Sequence, residues 1–239
     1  MKQALVTGAS RGIGASVALS LAEAGFRIWL HYRVREDAAR QVATTIVERG
    51  GPEPVLVRFD LADRKAANDT VIALIDEHGA PDALVLNAGI TLNALFALTS
   101  DREWDEVIAT NLGGLLAVGR PVVKAMVRAR TGRIVFVSSL ASQIGNTGYV
   151  TYAASKGALN SAALSLAREL APRGITVNVV SPGLIETEML QGAPVEKLLS
   201  AIPAGRLGRP SEVAHVIRYL CSEESGCLTG QIVSVAGGL

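Results

Sequence analysis

The 239 residues predict an α/β protein, a doubly wound sheet of about seven mainly parallel strands flanked by helices. Three observations carry this expectation. Short apolar runs alternate with longer stretches of spaced apolar residues, the pattern of strands alternating with helices. Hydrophobic residues make up 49% and aromatic residues only 4%, so Ala, Val, Ile and Leu must build the core, as buried parallel strands and their covering helices require. A glycine-rich segment follows the first apolar run directly. The length suits one domain, 1–239, because α/β folds commonly use it as a single unit and no linker interrupts the chain.

The first strand is expected at Ala4–Thr7. It runs into TGASRGIG, which places Gly8, Gly12 and Gly14 at the turn and at the start of a helix over Ile13–Ala24. The spacing G-x-x-x-G-x-G meets the same need as the G-x-G-x-x-G fingerprint: backbone without side chains beside a pyrophosphate, at the positive N-terminus of a helix. A turn of this kind also serves simply to close a strand–helix connection, but its place in the first βαβ unit favours dinucleotide binding and a Rossmann-type sheet.

The second strand is read at Arg27–Tyr32 and its helix at Asp37–Arg49. About 20 residues past the turn, an acid would hold a ribose 2′-hydroxyl. Here LHYRVRED puts Tyr32 at that place with Arg33 after it, and Arg11 lies inside the turn. Two guanidiniums suit a 2′-phosphate, so NADPH is favoured over NADH. The competing reading leaves Arg33 and Arg35 as solvated charges while Glu36 or Asp37 approaches the ribose.

Further strands are expected at Val55–Phe59, Ala83–Leu86, Arg133–Val137, Thr176–Val180 and Ile232–Val235, with helices at Trp104–Arg130, Tyr152–Ala171 and Ser211–Leu220. The Pro/Gly-containing stretch Gln191–Pro210 is the one long region without a clear pattern. It belongs to a substrate lid expected at about 184–210, after a strand end where a substrate would lie.

In TYAASKGALN, Tyr152 and Lys156 stand four residues apart, so a phenol and an ammonium share one helix face. A neighbouring cation favours the phenolate and makes the phenol a usable acid near neutrality. The bland alternative is a half-buried tyrosine beside a snorkelling lysine.

Net charge is +1 and the basic residues are dispersed, which argues against a nucleic-acid stripe or a polybasic membrane patch. Cys221 and Cys227 are read as reduced packing residues, and His31, His78 and His215 match no catalytic or metal pattern, so no metal site is expected. No secretory leader and no continuous apolar run of ~18 residues is evident, and a soluble cytoplasmic protein is expected.

Taken in order, TGASRGIG, LNAG at 86–89, Asn111, VSS at 137–139, Tyr152-x-x-x-Lys156 and SPG at 181–183 resemble the short-chain dehydrogenases/reductases over essentially the whole chain. RGITVNVVSPGLIETEM, GRLGRPSEVA and LTGQIVSVAGG are most similar to the 3-oxoacyl-[acyl-carrier-protein] reductases within that family. The resemblance implies Tyr152 as proton donor and Lys156 as the group that lowers its pKa and binds the nicotinamide ribose. It makes Ser139, rather than the adjacent Ser138, the hydroxyl that orients the carbonyl, and Asn111 a support for a water-linked proton relay toward Lys156 or else a backbone contact.

For NADP(H), the resemblance adds Ser10, Ile13, Asp60, Leu61, Asn87, Ala88, Gly89, Pro182, Gly183, Ile185 and Thr187 to Gly8, Arg11, Gly12, Gly14, Arg33, Tyr152 and Lys156. It implies reduction of a 3-oxoacyl thioester on acyl carrier protein in fatty-acid or polyketide-like synthesis, docking of that acidic carrier near the pocket through Arg130 and Arg173, and a homotetramer. A reductase of a free ketone, sugar or acyl-CoA would use the same residues, and a nucleotide-sensing binding protein is the non-enzymatic alternative. Two positions depart from the family pattern: Leu86 replaces the first asparagine of NNAG, and Ala236 stands where Asn or Asp commonly precedes the last Gly-Gly.

Overall fold

The computed structural model describes residues 1–190 and 199–239. Its single sheet has seven strands, all parallel, in the order β3-β2-β1-β4-β5-β6-β7. They are β1 (Gln3–Val6), β2 (Arg27–Tyr32), β3 (Val55–Arg58), β4 (Ala83–Leu86), β5 (Gly132–Val137), β6 (Ile175–Pro182) and β7 (Ile232–Val235). The chain winds outward from β1 to β3, then returns to the other side of β1 at β4. This reversal opens a crevice at the carboxyl ends of β1 and β4, where ligands of such sheets bind.

Alternation along the strands divides the core in two. Ala4 and Val6 of β1 face α1 (Gly12–Glu23), α2 (Glu36–Glu48) and α8 (Pro210–Leu220), through buried Val17, Leu21, Ile46 and Ile217. Leu5 faces the opposite layer, with Trp29, Leu84 and Phe136 beneath α3 (Arg64–His78), α5 (Arg120–Ala129) and α7 (Val150–Leu170). Each fully buried large side chain contributes roughly 1.5–3 kcal/mol of transfer free energy, so both faces of the sheet must be covered.

The helix expected over Trp104–Arg130 is present as an unbroken helical run over 101–129 that contains a π-helical turn. It begins earlier, as α4 (Asp101–Gly114), because Ser100 and Glu103 form a reciprocal capping box. After Gly114 a π-helical turn, Leu115–Gly119, leads into α5. A Cβ on Gly113 would stand 2.6 Å from the Leu61 carbonyl oxygen, so the helix can lie against that loop only without one. The strand expected at Thr176–Val180 extends to Pro182, because Ser181 and Pro182 also pair in register with Ser234 and Val235.

Cys221 is buried and free, its thiol pushed up to about 12 by desolvation, and Cys227 is exposed and free. Among the described residues no helix is long and apolar enough to cross a membrane, and no three His, Cys, Asp or Glu side chains cluster as a metal site. Of the expected lid, 184–190 and 199–210 are described, and residues 191–198 lie outside the described residues.

Candidate active site

A cleft of about 750 Å³ opens at the carboxyl ends of the strands. Its floor is the turn between β1 and α1. Gly8 and Gly12 take positive φ angles of 65° and 55°, a region that L side chains rarely enter. Gly14 is excluded from substitution by space: a Cβ there would lie 2.1 Å from the Gly8 carbonyl oxygen. Asn87, just past β4, clasps this turn by donating its side-chain amide to the Thr7 and Gly8 carbonyls at 2.9 and 3.2 Å. Its backbone N–H and that of Ala88 both donate to the Thr7 hydroxyl. Bare backbone at the start of a helix, walled by arginines, fits the pyrophosphate and ribose phosphate of a dinucleotide.

The cations around the cleft are held by carboxylates. Arg11 pairs with Glu188 at 2.6 Å, Arg35 approaches the same carboxylate at 3.9 Å, and Arg33 lies 3.6 Å from Asp60. Arg35, which only the competing reading of the sequence mentions, as a solvated charge, and Glu188, to which the sequence gives no role, both line the cleft. Glu36 is engaged elsewhere, accepting two bonds from Arg40 and one from the Tyr32 phenol.

The opposite wall carries the hydroxyls and the lysine. Tyr152 and Lys156 project from α7, both buried, with the Lys156 ammonium 5.8 Å from the Tyr152 ring centroid. Lys156 Nζ donates to the Val137 carbonyl at 2.9 Å, and desolvation brings its pKa down to about 8. Burial raises the Tyr152 phenol above its ordinary value, and its hydrogen bond with Ser139 opposes that rise. The direction is opposite to the one expected from the helical spacing, with burial first among its causes and the nearby Tyr149 phenol adding to it.

Both adjacent serines line the cleft, and their hydrogen bonds differ. Ser139, which lines the cleft, accepts from the Ala141 N–H and bonds Tyr152. Ser138 is spent on structure, donating to the Lys156 carbonyl at 3.1 Å.

Asn111 lies behind the cleft with its side chain fully used. Its oxygen accepts the Ile90 N–H at 2.8 Å, and its amide donates to the Ile90 carbonyl and the Ser155 hydroxyl. In the backbone, the Leu115 N–H turns to the carbonyls of Leu112 and Gly113 rather than to that of Asn111. Gly89 closes the group: a Cβ there would stand 3.0 Å from Asn111 Oδ1 and 3.2 Å from Lys156 Nζ.

The residues assigned from sequence to the cofactor, from Gly8 to Gly14 and on to Thr187, line this one cleft with Ser139, Tyr152 and Lys156. His31 lines it too, although it matches no catalytic or metal pattern in the sequence. Arg130 and Arg173 come together, since the Arg130 carbonyl lies 2.9 Å from where a Gly174 Cβ would be. They do not stand near the pocket. They precede β5 and β6, at the amino ends of strands whose carboxyl ends hold the cleft. Leu86 packs beside Gly114 and Gly119 of the helical run over 101–129, and Ala236 packs against Gly183, so both departures from the family pattern are apolar contacts here.

Comparison with known proteins agrees with this geometry. Residues 8–239 match the short-chain family model described as enoyl-(acyl carrier protein) reductase. The chain is 46% identical over 237 residues to a 3-oxoacyl-[acyl-carrier-protein] reductase FabG of Aggregatibacter actinomycetemcomitans, covering 98% of each chain. It is 38% identical over 241 residues to the FabG of Staphylococcus aureus, covering 100% of this chain and 98% of the relative. A 3-oxoacyl-[acyl-carrier-protein] reductase of a Synechocystis species is also 38% identical, with 99% and 96% covered.

Proposed function

The chain belongs to the short-chain dehydrogenase/reductase family, and from that premise we propose that it reduces a 3-oxoacyl thioester on acyl carrier protein to the 3-hydroxyacyl thioester, with NADPH. The observation that carries the reading is the convergence of Ser139 and Tyr152 on one side of a cleft whose other side is a dinucleotide turn. Two neighbouring hydroxyls lining one cleft suit a carbonyl oxygen that gains negative charge. Relatives that cover nearly the whole chain carry that activity in their names.

A bound reduced nicotinamide supplies the hydride. Gly8, Gly12 and Gly14 present bare backbone to its pyrophosphate, and Arg11, Arg33 and Arg35 are the cations available to a 2′-phosphate. Ser139 orients the substrate carbonyl. Tyr152 gives its phenolic proton to the oxygen as charge develops there. Lys156 holds the nicotinamide ribose and stabilises the phenolate left behind. The Asn111 carbonyl, which the Leu115 N–H does not engage, is the acceptor we assign to a water that returns a proton toward Lys156.

A carrier docked on Arg130 and Arg173 would sit at the far edge of the sheet from its own chain's cleft. Strands of this length span roughly 20 Å, so these arginines serve catalysis by presenting the carrier to the cleft of a neighbouring copy in a homotetramer. Exposed Leu116 and Leu164 supply apolar surface for such an assembly. Reversing both charges should raise KM for a carrier-bound substrate and leave a small-thiol substrate unaffected; equal KM values would remove the docking role.

The test of the activity is a substrate panel. NADPH oxidation should be fast with a 3-oxoacyl thioester and slow with a 2-enoyl thioester or a free ketone. Preferential enoyl reduction would overturn the reading, and equal turnover of free ketones would favour a general ketoreductase.

A further inference from the structure

His31, in β2, joins three elements through one imidazole. The Gly8 N–H donates to His31 Nδ1 at 3.1 Å, and His31 Nε2 lies 3.1 Å from the Phe59 carbonyl, just beyond β3. A backbone N–H can only donate and a carbonyl can only accept, so the ring must be the neutral Nε2–H tautomer. The next N–H of the turn, from Ala9, donates to the His31 carbonyl at 2.8 Å. The ring is 2% exposed and stacks on Phe59 with centroids 3.9 Å apart. Burial lowers its pKa to about 4, against the opposing pull of the Phe59 carbonyl and the nearby Asp60 carboxylate.

We infer that His31 is a positioning residue for the cofactor turn, drawing the Gly8 N–H inward through Nδ1 and tying the turn to the wall that begins at Asp60. The geometry leaves little freedom. Gly8 sits at positive φ with its own carbonyl held by Asn87, so the turn is gripped from β4 on one side and from β2 on the other. With two successive N–H groups committed to His31, the backbone from Ser10 onward is presented to the ligand in one arrangement. This inference rests on the dinucleotide reading of the cleft.

Two amide substitutions separate the two ring contacts. In His31→Asn the amide oxygen takes the place of Nδ1 and keeps the bond from Gly8; in His31→Gln the amide nitrogen takes the place of Nε2 and keeps the bond to Phe59. NADPH dissociation constants, kcat at saturating NADPH and thermal midpoints would be measured on the full chain. His31→Asn should hold NADPH within about 3-fold of wild type and His31→Gln should weaken it about 10-fold or more, the scale of one unpaired buried donor. Both should keep kcat within about 2-fold and lose similar thermal stability, each having lost one bond. Equal dissociation constants for the two variants, or affinities that simply follow the thermal midpoints, would overturn the inference. Failure of the wild type to bind NADPH would instead overturn the dinucleotide reading on which it rests.

Discussion

Lys156 is fastened to Val137: the ammonium on α7 donates to the carbonyl of the last β5 residue at 2.9 Å. The bond fixes the lysine at the carboxyl end of the sheet, where Gly89 leaves room for it beside Asn111. Desolvation then lowers the pKa to about 8. The cation is therefore complete at neutral pH and lost as pH rises through that value.

The activity should follow that titration. On the account above the cationic lysine is required, so kcat/KM, which reports the enzyme before it binds the carbonyl substrate, should fall as pH rises past about 8. A pH profile with saturating NADPH and limiting substrate checks this; constant kcat/KM up to pH ~10, near the ordinary lysine pKa, would contradict it.

The serine pair gives a sharper contrast. Ser139→Ala removes a hydroxyl from the reacting side of the cleft and should lower kcat about 100-fold, the usual cost of one oxyanion donor. Ser138→Ala removes the bond to the Lys156 carbonyl and a longer one, at 3.4 Å, with the Ser142 hydroxyl. It should destabilise the fold by about 1 kcal/mol and change kcat only a few-fold. Steady-state rates and thermal melts of the two variants measure both effects.

Much of this site was legible in the chain because its chemistry is local. Tyr152 and Lys156 announce themselves by helical spacing, and Gly8, Gly12 and Gly14 by their place after the first strand. The family resemblance assigns Ser139 rather than Ser138, and both hydroxyls line the cleft. What was hidden depends on partners far apart in sequence. His31 reaches Gly8 and Phe59, 23 and 28 residues away, and no local pattern distinguishes it from a packing residue. Glu188 meets Arg11 across 177 residues. The π-helical turn at Leu115–Gly119 lies within a run whose apolar periodicity reads simply as helix. The position of Arg130 and Arg173 needed the strand directions, which place them at the edge away from the cleft.

Stability should depend on pH through His31. Its pKa is near 6.5 when unfolded and about 4 in the fold, so the unfolded chain binds more protons between these values. The stability tied to this group is fully present above pH 6.5 and is lost as pH falls toward about 4. The shift corresponds to on the order of 3 kcal/mol. Denaturant melts of wild type and His31→Asn across this range should show a shallower slope in the variant; parallel slopes would contradict the assignment.

Cofactor preference should respond to Glu188, whose carboxylate lies against Arg11 and Arg35. A 2′-phosphate must compete with it for these guanidiniums. Glu188→Gln should lower KM for NADPH about 2- to 5-fold and leave KM for NADH unchanged, with the gain shrinking as salt is raised. An equal change for both cofactors would show that the carboxylate acts on something the two share.

The most direct measurement follows NADPH absorbance with a 3-oxoacyl thioester on acyl carrier protein, comparing wild type with Tyr152→Phe. The phenylalanine keeps the ring and removes the proton. The account predicts rapid oxidation by wild type and a kcat lower by about 100- to 10,000-fold in Tyr152→Phe, with NADPH binding intact. Comparable rates for the two proteins would contradict Tyr152 as the proton donor, and with it the central claim.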